Sequence, residues 1–166
     1  MRLVNYKNPL TWFAVGFGSG LSPWAPGTFG TLMAGLLFYF LIVPFLEPFA
    51  FIYTVIFYLF LLISGFFFGL FIYEKTMGEE KDARIFVWDE FVGMWIACFP
   101  LIISQSPWPW IVLSFVLFRV FDIWKPSLIR YFDHLEGSAG VMMDDLVAGL
   151  VSGLILLGFF YFLELN

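Results

Sequence analysis

Two pairs of adjacent acids, Asp89-Glu90 and Asp144-Asp145, interrupt segments that are otherwise apolar. Ionisable side chains in such surroundings are costly and usually functional. A plainer account is available, because the sequence reads both pairs as opening helices. Acids in a first turn satisfy orphan N–H groups and complement the helix dipole. The residues that share their helix faces favour a site. Asp89 stands at i, i+4 spacing with Gly93 and Ala97, Asp145 with Gly149 and Gly153, and Gly27, Thr31 and Gly35 form a third small-residue stripe. Small residues let helices approach closely in lipid, so three packed stripes would bring Asp89 and Asp145 together. Carboxylates that converge in a low dielectric need a cation between them, and hard oxygen donors suit Mg²⁺. Glu90 and Asp144 lie about 100° around their helices from these stripes. They would serve as further ligands, as supporting groups or as a proton acceptor.

Positive charge and hydroxyls flank the acids. Arg119 and Asp122 share one helix face, and Asp122 meets Lys125 three residues on. Arg119 or Lys125 could bind phosphate oxygens, with Asp122 holding the cation in place. Against this, Lys125 could simply snorkel to an interface. The stretch from Gly16 to Thr31 is rich in Gly and Pro and fits neither the Walker nor the dinucleotide spacing. Its functional reading is a backbone nest that offers Ser22, Thr28 and Thr31 to phosphate at a helix N-terminus. Cys98 has no charged partner near it in sequence and reads as a packing thiol. His134, the single histidine, reads as a solvated surface residue.

The elements that must position these groups are membrane helices. Of 166 residues, 61% are hydrophobic and 13% charged, with mean hydropathy +0.92. A soluble domain of this size cannot bury so much apolar surface. Five apolar blocks stand out: Thr28–Leu46, Pro48–Tyr73, Trp88–Ile103, Trp108–Trp124 and Asp144–Leu163. A span needs about 17–25 residues, so the third and fourth are short and would tilt, thin the bilayer or form a re-entrant pair. Pro126–Leu135 reads as an amphipathic helix in the interface, with Leu128, Ile129, Phe132 and Leu135 on one face and Gly137 at its end. All eight basic residues fall on the side of the N-terminus in a five-span arrangement, so that side is cytoplasmic and the C-terminus lies outside. No secretory signal precedes the first block. The expected fold is thus an all-α integral membrane bundle, one domain over residues 1–166. Its net charge of −5 offers nothing to nucleic acid.

Four segments in order carry a resemblance: GFGSGLSPWAPGTFGT from Gly16, VWDEFVGMW from Val87, FRVFDIWKP from Phe118 and MMDDLVAG from Met142. Together they resemble the phosphatidylglycerophosphatase A family of bacterial inner membranes, over about Asn8 to Gly153. The resemblance implies Mg²⁺-dependent removal of the terminal phosphate of phosphatidylglycerophosphate, giving phosphatidylglycerol, with a phospholipid in the membrane as substrate. The residues agree with this and exclude neighbouring chemistries. Cys98 has no Cys-x5-Arg loop, a histidine-based phosphatase needs two histidines, and the Asp-Gly-x2-Ala-Arg signature of the CDP-lipid transferases is missing. Metal-assisted hydrolysis remains, with water or an aspartate as nucleophile. The rival is a small ion or solute transporter with a carboxylate-lined site. It would place its acids near the midplane, whereas these collect at one interface.

Overall fold

The computed structural model describes residues 7–78, 84–102, 108 and 110–164. Every regular element among the described residues is helical, and none is a strand. After a short helix α1 (Pro9–Ala14) and a 3₁₀ stretch (Gly16–Leu21), α2 (Pro26–Leu37) runs through a wide turn at Phe38–Ile42 into α3 (Val43–Leu46). The antiparallel return is α4 (Phe51–Thr76). Then come α5 (Trp88–Ala97), a 3₁₀ turn (Phe99–Ile102), α6 (Trp110–Trp124), α7 (Ser127–Asp133) and α8 (Gly137–Glu164).

Three stretches are long and apolar enough to cross a membrane: Pro26–Leu46, Phe51–Thr76 and Gly137–Leu163, of 21, 26 and 27 residues with mean hydropathies of 2.1, 2.6 and 2.4. The third and fourth apolar blocks are indeed the short ones. With 10 residues in α5 and 15 in α6, they reach only about 15 and 22 Å at 1.5 Å per residue, against a hydrocarbon core of about 30 Å. Pro100 explains the end of α5. It has no N–H for the Ile96 carbonyl, and its ring disfavours helix at Phe99. The Ser104–Pro109 connection expected to be re-entrant lies largely outside the described residues, as do Arg2 and Lys81.

α5 is the centre of the bundle, with every residue but Glu90 buried. It is apolar on nearly all sides, as a helix enclosed by others must be, and it packs on α2, α4, α6 and α8. Buried polar tips fix those contacts. The Trp88 indole donates to the Gly65 carbonyl at 2.9 Å, Trp95 to Ala34 at 3.0 Å, and Tyr58 to the Trp95 carbonyl at 2.6 Å. The last of these satisfies a carbonyl that the terminated helix leaves open. The closest approach is α5 to α8. A Cβ on Gly93 would stand 2.8 Å from the Asp145 carbonyl oxygen, and one on Gly149 would overlap the Gly93 carbonyl. The two small-residue stripes therefore mate, as their spacing predicts.

Two boundaries differ from the sequence reading. α8 starts at Gly137, so Asp144 and Asp145 are its eighth and ninth residues and do not open it. Helix capping thus has no part in explaining this pair. The interfacial helix α7 is shorter than Pro126–Leu135, and Gly137 (φ +76°) turns the chain into α8. Gly140 then rests against the Leu135 carbonyl, where any side chain would collide. Ile129 of α7 faces inward, whereas Leu128 and Leu135 are exposed.

Candidate active site

The acids gather where the start of α5 and the end of α6 meet α8 two turns inside its N-terminus. Asp89 and Glu90 occupy the first turn of α5, and the Glu90 N–H donates to Asp89 Oδ1 at 3.0 Å. The Gly93–Gly149 contact slides α8 against α5 until Asp145 meets them. One oxygen from each of Asp89, Glu90 and Asp145 lies within 4.8 Å of the others, and Asp122, Asp144 and Asp145 form a second such trio. Asp145 belongs to both. Asp89, Asp144 and Asp145 are only 9, 7 and 3% exposed. They border a cavity of about 1010 Å³ that also takes in Lys125, Asp133, His134 and Arg84.

α6 delivers the cations. Arg119 Nη1 pairs with Asp122 Oδ2 at 2.5 Å, one helical turn on, and donates to Thr31 Oγ1 on α2 at 3.4 Å. The Thr31 hydroxyl in turn donates to the Gly27 carbonyl at 2.8 Å. α2 can approach because Gly27 lacks a side chain: a Cβ there would overlap Glu90 Oε1 and lie 3.3 Å from Arg119 Nη1. Lys125 follows α6 in the left-handed region (φ +44°), where non-glycine residues are uncommon. That turn aims its ammonium at Asp144 Oδ2, 2.7 Å away, and at Asp133 Oδ1 of α7. Burial alone would lower the Lys125 pKa, but the hydrogen bonds and charges of Asp133 and Asp144 outweigh it and hold the ammonium above the usual lysine range.

Three polar atoms around this cluster are buried without a hydrogen-bond partner: Glu90 Oε2, Asp144 Oδ1 and Arg119 Nε. Orphaned buried carboxylate oxygens are costly. Here they adjoin a set of donors made entirely of oxygen, which suits a hard divalent cation. Among the described residues the Asp89–Glu90–Asp145 trio carries no ion pair of its own, whereas Asp122 and Asp144 are paired with Arg119 and Lys125. The residues therefore fit a metal ion best at the first trio.

The structure brings together Asp89, Glu90, Asp144, Asp145, Asp122 and Lys125, and sets Arg119 and Thr31 behind them. Ser22 and Thr28 do not line the cavity. The Ser22 hydroxyl instead closes a local turn, donating to the Trp24 carbonyl at 2.8 Å and accepting from its N–H at 3.3 Å. Arg119 does not line the cavity either; it holds Asp122 there. Two contributors were not anticipated. Asp133 depends on how α7 folds back, which no spacing announces. Gly27 was visible only as one member of a stripe.

A bundle of apolar helices that gathers carboxylates and a lysine at one end of its spans has the architecture of a membrane-embedded enzyme. The chain matches the family described as Phosphatidylglycerophosphatase A over residues 12–160, and it belongs to that family. It is 40% identical over 164 residues to the phosphatidylglycerophosphatase A of Escherichia coli, covering 96% of this chain and 86% of that one. The Haemophilus influenzae protein of the same name is 36% identical, with 98% and 96% covered. A Bacteroides thetaiotaomicron protein whose provisional name is phosphatidylinositol-3-phosphatase is 40% identical over 141 residues, with 82% and 84% covered. No solved structure matches. The chain is a phosphatase.

Proposed function

We propose that this enzyme hydrolyses the terminal phosphomonoester of phosphatidylglycerophosphate to give phosphatidylglycerol, at the cytoplasmic face of a bacterial inner membrane and with Mg²⁺ bound. The observation that carries the reading is the Asp89–Glu90–Asp145 trio bordering the same cavity as Lys125, with buried, unpartnered carboxylate oxygens on Glu90 and Asp144. The two relatives named as phosphatidylglycerophosphatases supply the head group. Asp89, Glu90 and Asp145 would hold Mg²⁺, which supplies Lewis-acid polarisation of the phosphoryl group.

The protein's own groups do the rest. Lys125 binds the phosphate oxygens as they arrive, offsetting charge that several carboxylates would otherwise repel. Asp144 is oriented through Oδ2 by Lys125, which leaves Oδ1 to accept the proton of the attacking water. Water oxygen bonds to phosphorus, the bond to the glycerol oxygen breaks, and that oxygen takes up a proton to become the product hydroxyl. Arg119 and Thr31 hold Asp122 and α2 in register behind the acids. Depth agrees with this scheme. α8 is about 40 Å long, some 10 Å more than the hydrocarbon core. Asp144 and Asp145 lie about 11 Å from its first residue, at the level of a lipid head group.

The test is phosphate release by the purified protein in nanodiscs from phosphatidylglycerophosphate, phosphatidic acid, phosphatidylinositol-3-phosphate and water-soluble glycerol phosphate. Preference for the first, and little turnover of the last, is expected. Inactivity on all of them together with ion flux in liposomes would favour a transporter.

A further inference from the structure

A second cavity is a groove open on the outer face of the bundle between α4, α5 and α8, with a volume of about 430 Å³ and walls that are almost wholly apolar. Leu62 and Phe66 line it from α4, Ile96 and Pro100 from the end of α5 and the turn beyond, and Leu150 and Leu157 from α8. Its floor exists because position 153 is glycine: a Cβ there would stand 3.3 Å from the Ile96 carbonyl oxygen, so no side chain fills the crevice. Near the acids Met142 packs into Gly69 beside Trp88, so the groove is separate from the acidic cavity and is reached from its lipid-facing side.

The placement of the groove identifies its occupant. The three elements that form it also border the acidic site. α5 contributes Asp89 before Ile96, α8 contributes Asp145 before Leu146–Leu157, and α4, running the other way, contributes Tyr73 after Leu59–Phe67. On every element the groove lies on the membrane side of the acids. From Leu146 to Leu157 it extends about 16 Å along α8, close to one leaflet of a hydrocarbon core about 30 Å thick. A phosphate held among the acids leaves its glycerol backbone at the interface, and the acyl chains must run inward from there.

We infer that this groove binds one acyl chain of the phospholipid substrate and sets the enzyme's chain-length preference. The inference rests on the proposed lipid phosphatase reading. Leu150→Trp and Ile63→Trp narrow the groove from its two walls without touching the acids. In either variant kcat/KM for dipalmitoyl phosphatidylglycerophosphate should fall at least tenfold, while that for the dihexanoyl form stays within about twofold. The short-chain rate also reports that the variant is folded. Equal loss on both substrates, or no loss on either, overturns the inference. Should the unmodified enzyme hydrolyse neither lipid, the activity assignment fails and the groove is read by binding. A phosphatidylglycerophosphate with a diazirine in its acyl chain should label groove residues, and unlabelled phosphatidylglycerophosphate should suppress that labelling where phosphatidylcholine does not. Equal suppression by phosphatidylcholine assigns the groove to bulk lipid. A halved particle mass in Ile63→Trp assigns it to a second copy of the chain. Either result overturns the inference.

Discussion

Gly27→Ala separates the site from the stability of the helix that carries it. Gly27 is the second residue of α2, where alanine is the better helix former by about 1 kcal/mol at interior positions. The backbone should tolerate the change. The added methyl would overlap Glu90 Oε1 and come within 3.3 Å of Glu90 Cδ and Arg119 Nη1. The carboxylate is the flexible end of a side chain, so it swings aside at little cost to folding. The swing moves a proposed ligand by about the width of the overlap, on the order of 1 Å. Misplacement of that size can cost about a hundredfold in rate, or ~2.7 kcal/mol of transition-state stabilisation. The assay is kcat/KM for phosphate release, beside a melting curve of the same preparation. A hundredfold loss with an unchanged Tm is expected. Glu90→Asp, which withdraws the carboxylate by one methylene, should cost less in the Gly27→Ala background than in the unmodified enzyme. Near-normal turnover of Gly27→Ala would show that Glu90 does not act from the position seen here.

Asp89→Asn and Asp145→Asn keep shape and remove charge, so each should abolish turnover while the protein still inserts and purifies; near-normal rates in both would remove the metal assignment. Asp133→Asn should loosen Lys125 and raise KM by up to about fivefold, because Asp133 is partly exposed and such pairs are screened; an unchanged KM would leave Asp133 without a role. Lys125 has a raised pKa, so its charge and the stability of its pairing are fully present below the unfolded value of about 10.4 and are lost only as pH climbs through the higher folded value. The shape of the pH–rate profile below about pH 10 should therefore be the same in Lys125→Arg as in the unmodified enzyme. In a Cys98→Ala background, Glu47→Cys should react with an impermeant thiol reagent from outside and Leu135→Cys only from inside; the reverse pattern would invert the topology.

Much of this site was legible because lipid makes polar residues conspicuous. Asp89, Glu90, Asp144 and Asp145 stand out against apolar neighbours, and the Gly93 and Gly149 stripes state which faces must touch. What was hidden depends on chain reversal. The sequence placed Gly137 at the end of the interfacial helix and started the last block at Asp144, yet Gly137 and Gly140 let α8 begin against Leu135, two turns before the acids. Asp122 read as a partner for cations alone, and only the packing of α6 on α8 reveals that it also joins Asp144 and Asp145. The Asp133–Lys125 pair needs the left-handed turn at Lys125, which composition does not signal. The apolar groove was invisible for a simpler reason: its leucines and phenylalanines are the residues any lipid-facing helix carries. Ser22 shows the opposite error, a hydroxyl in a glycine-rich stretch that serves its own turn.

The most direct test of the central claim is phosphate release from phosphatidylglycerophosphate by the purified enzyme in nanodiscs, measured with Mg²⁺, after excess EDTA, and after Mg²⁺ is restored. Carboxylates converging on a phosphate dianion require a divalent cation, so turnover should be robust, then absent, then recovered. Sustained turnover under excess EDTA would contradict the account.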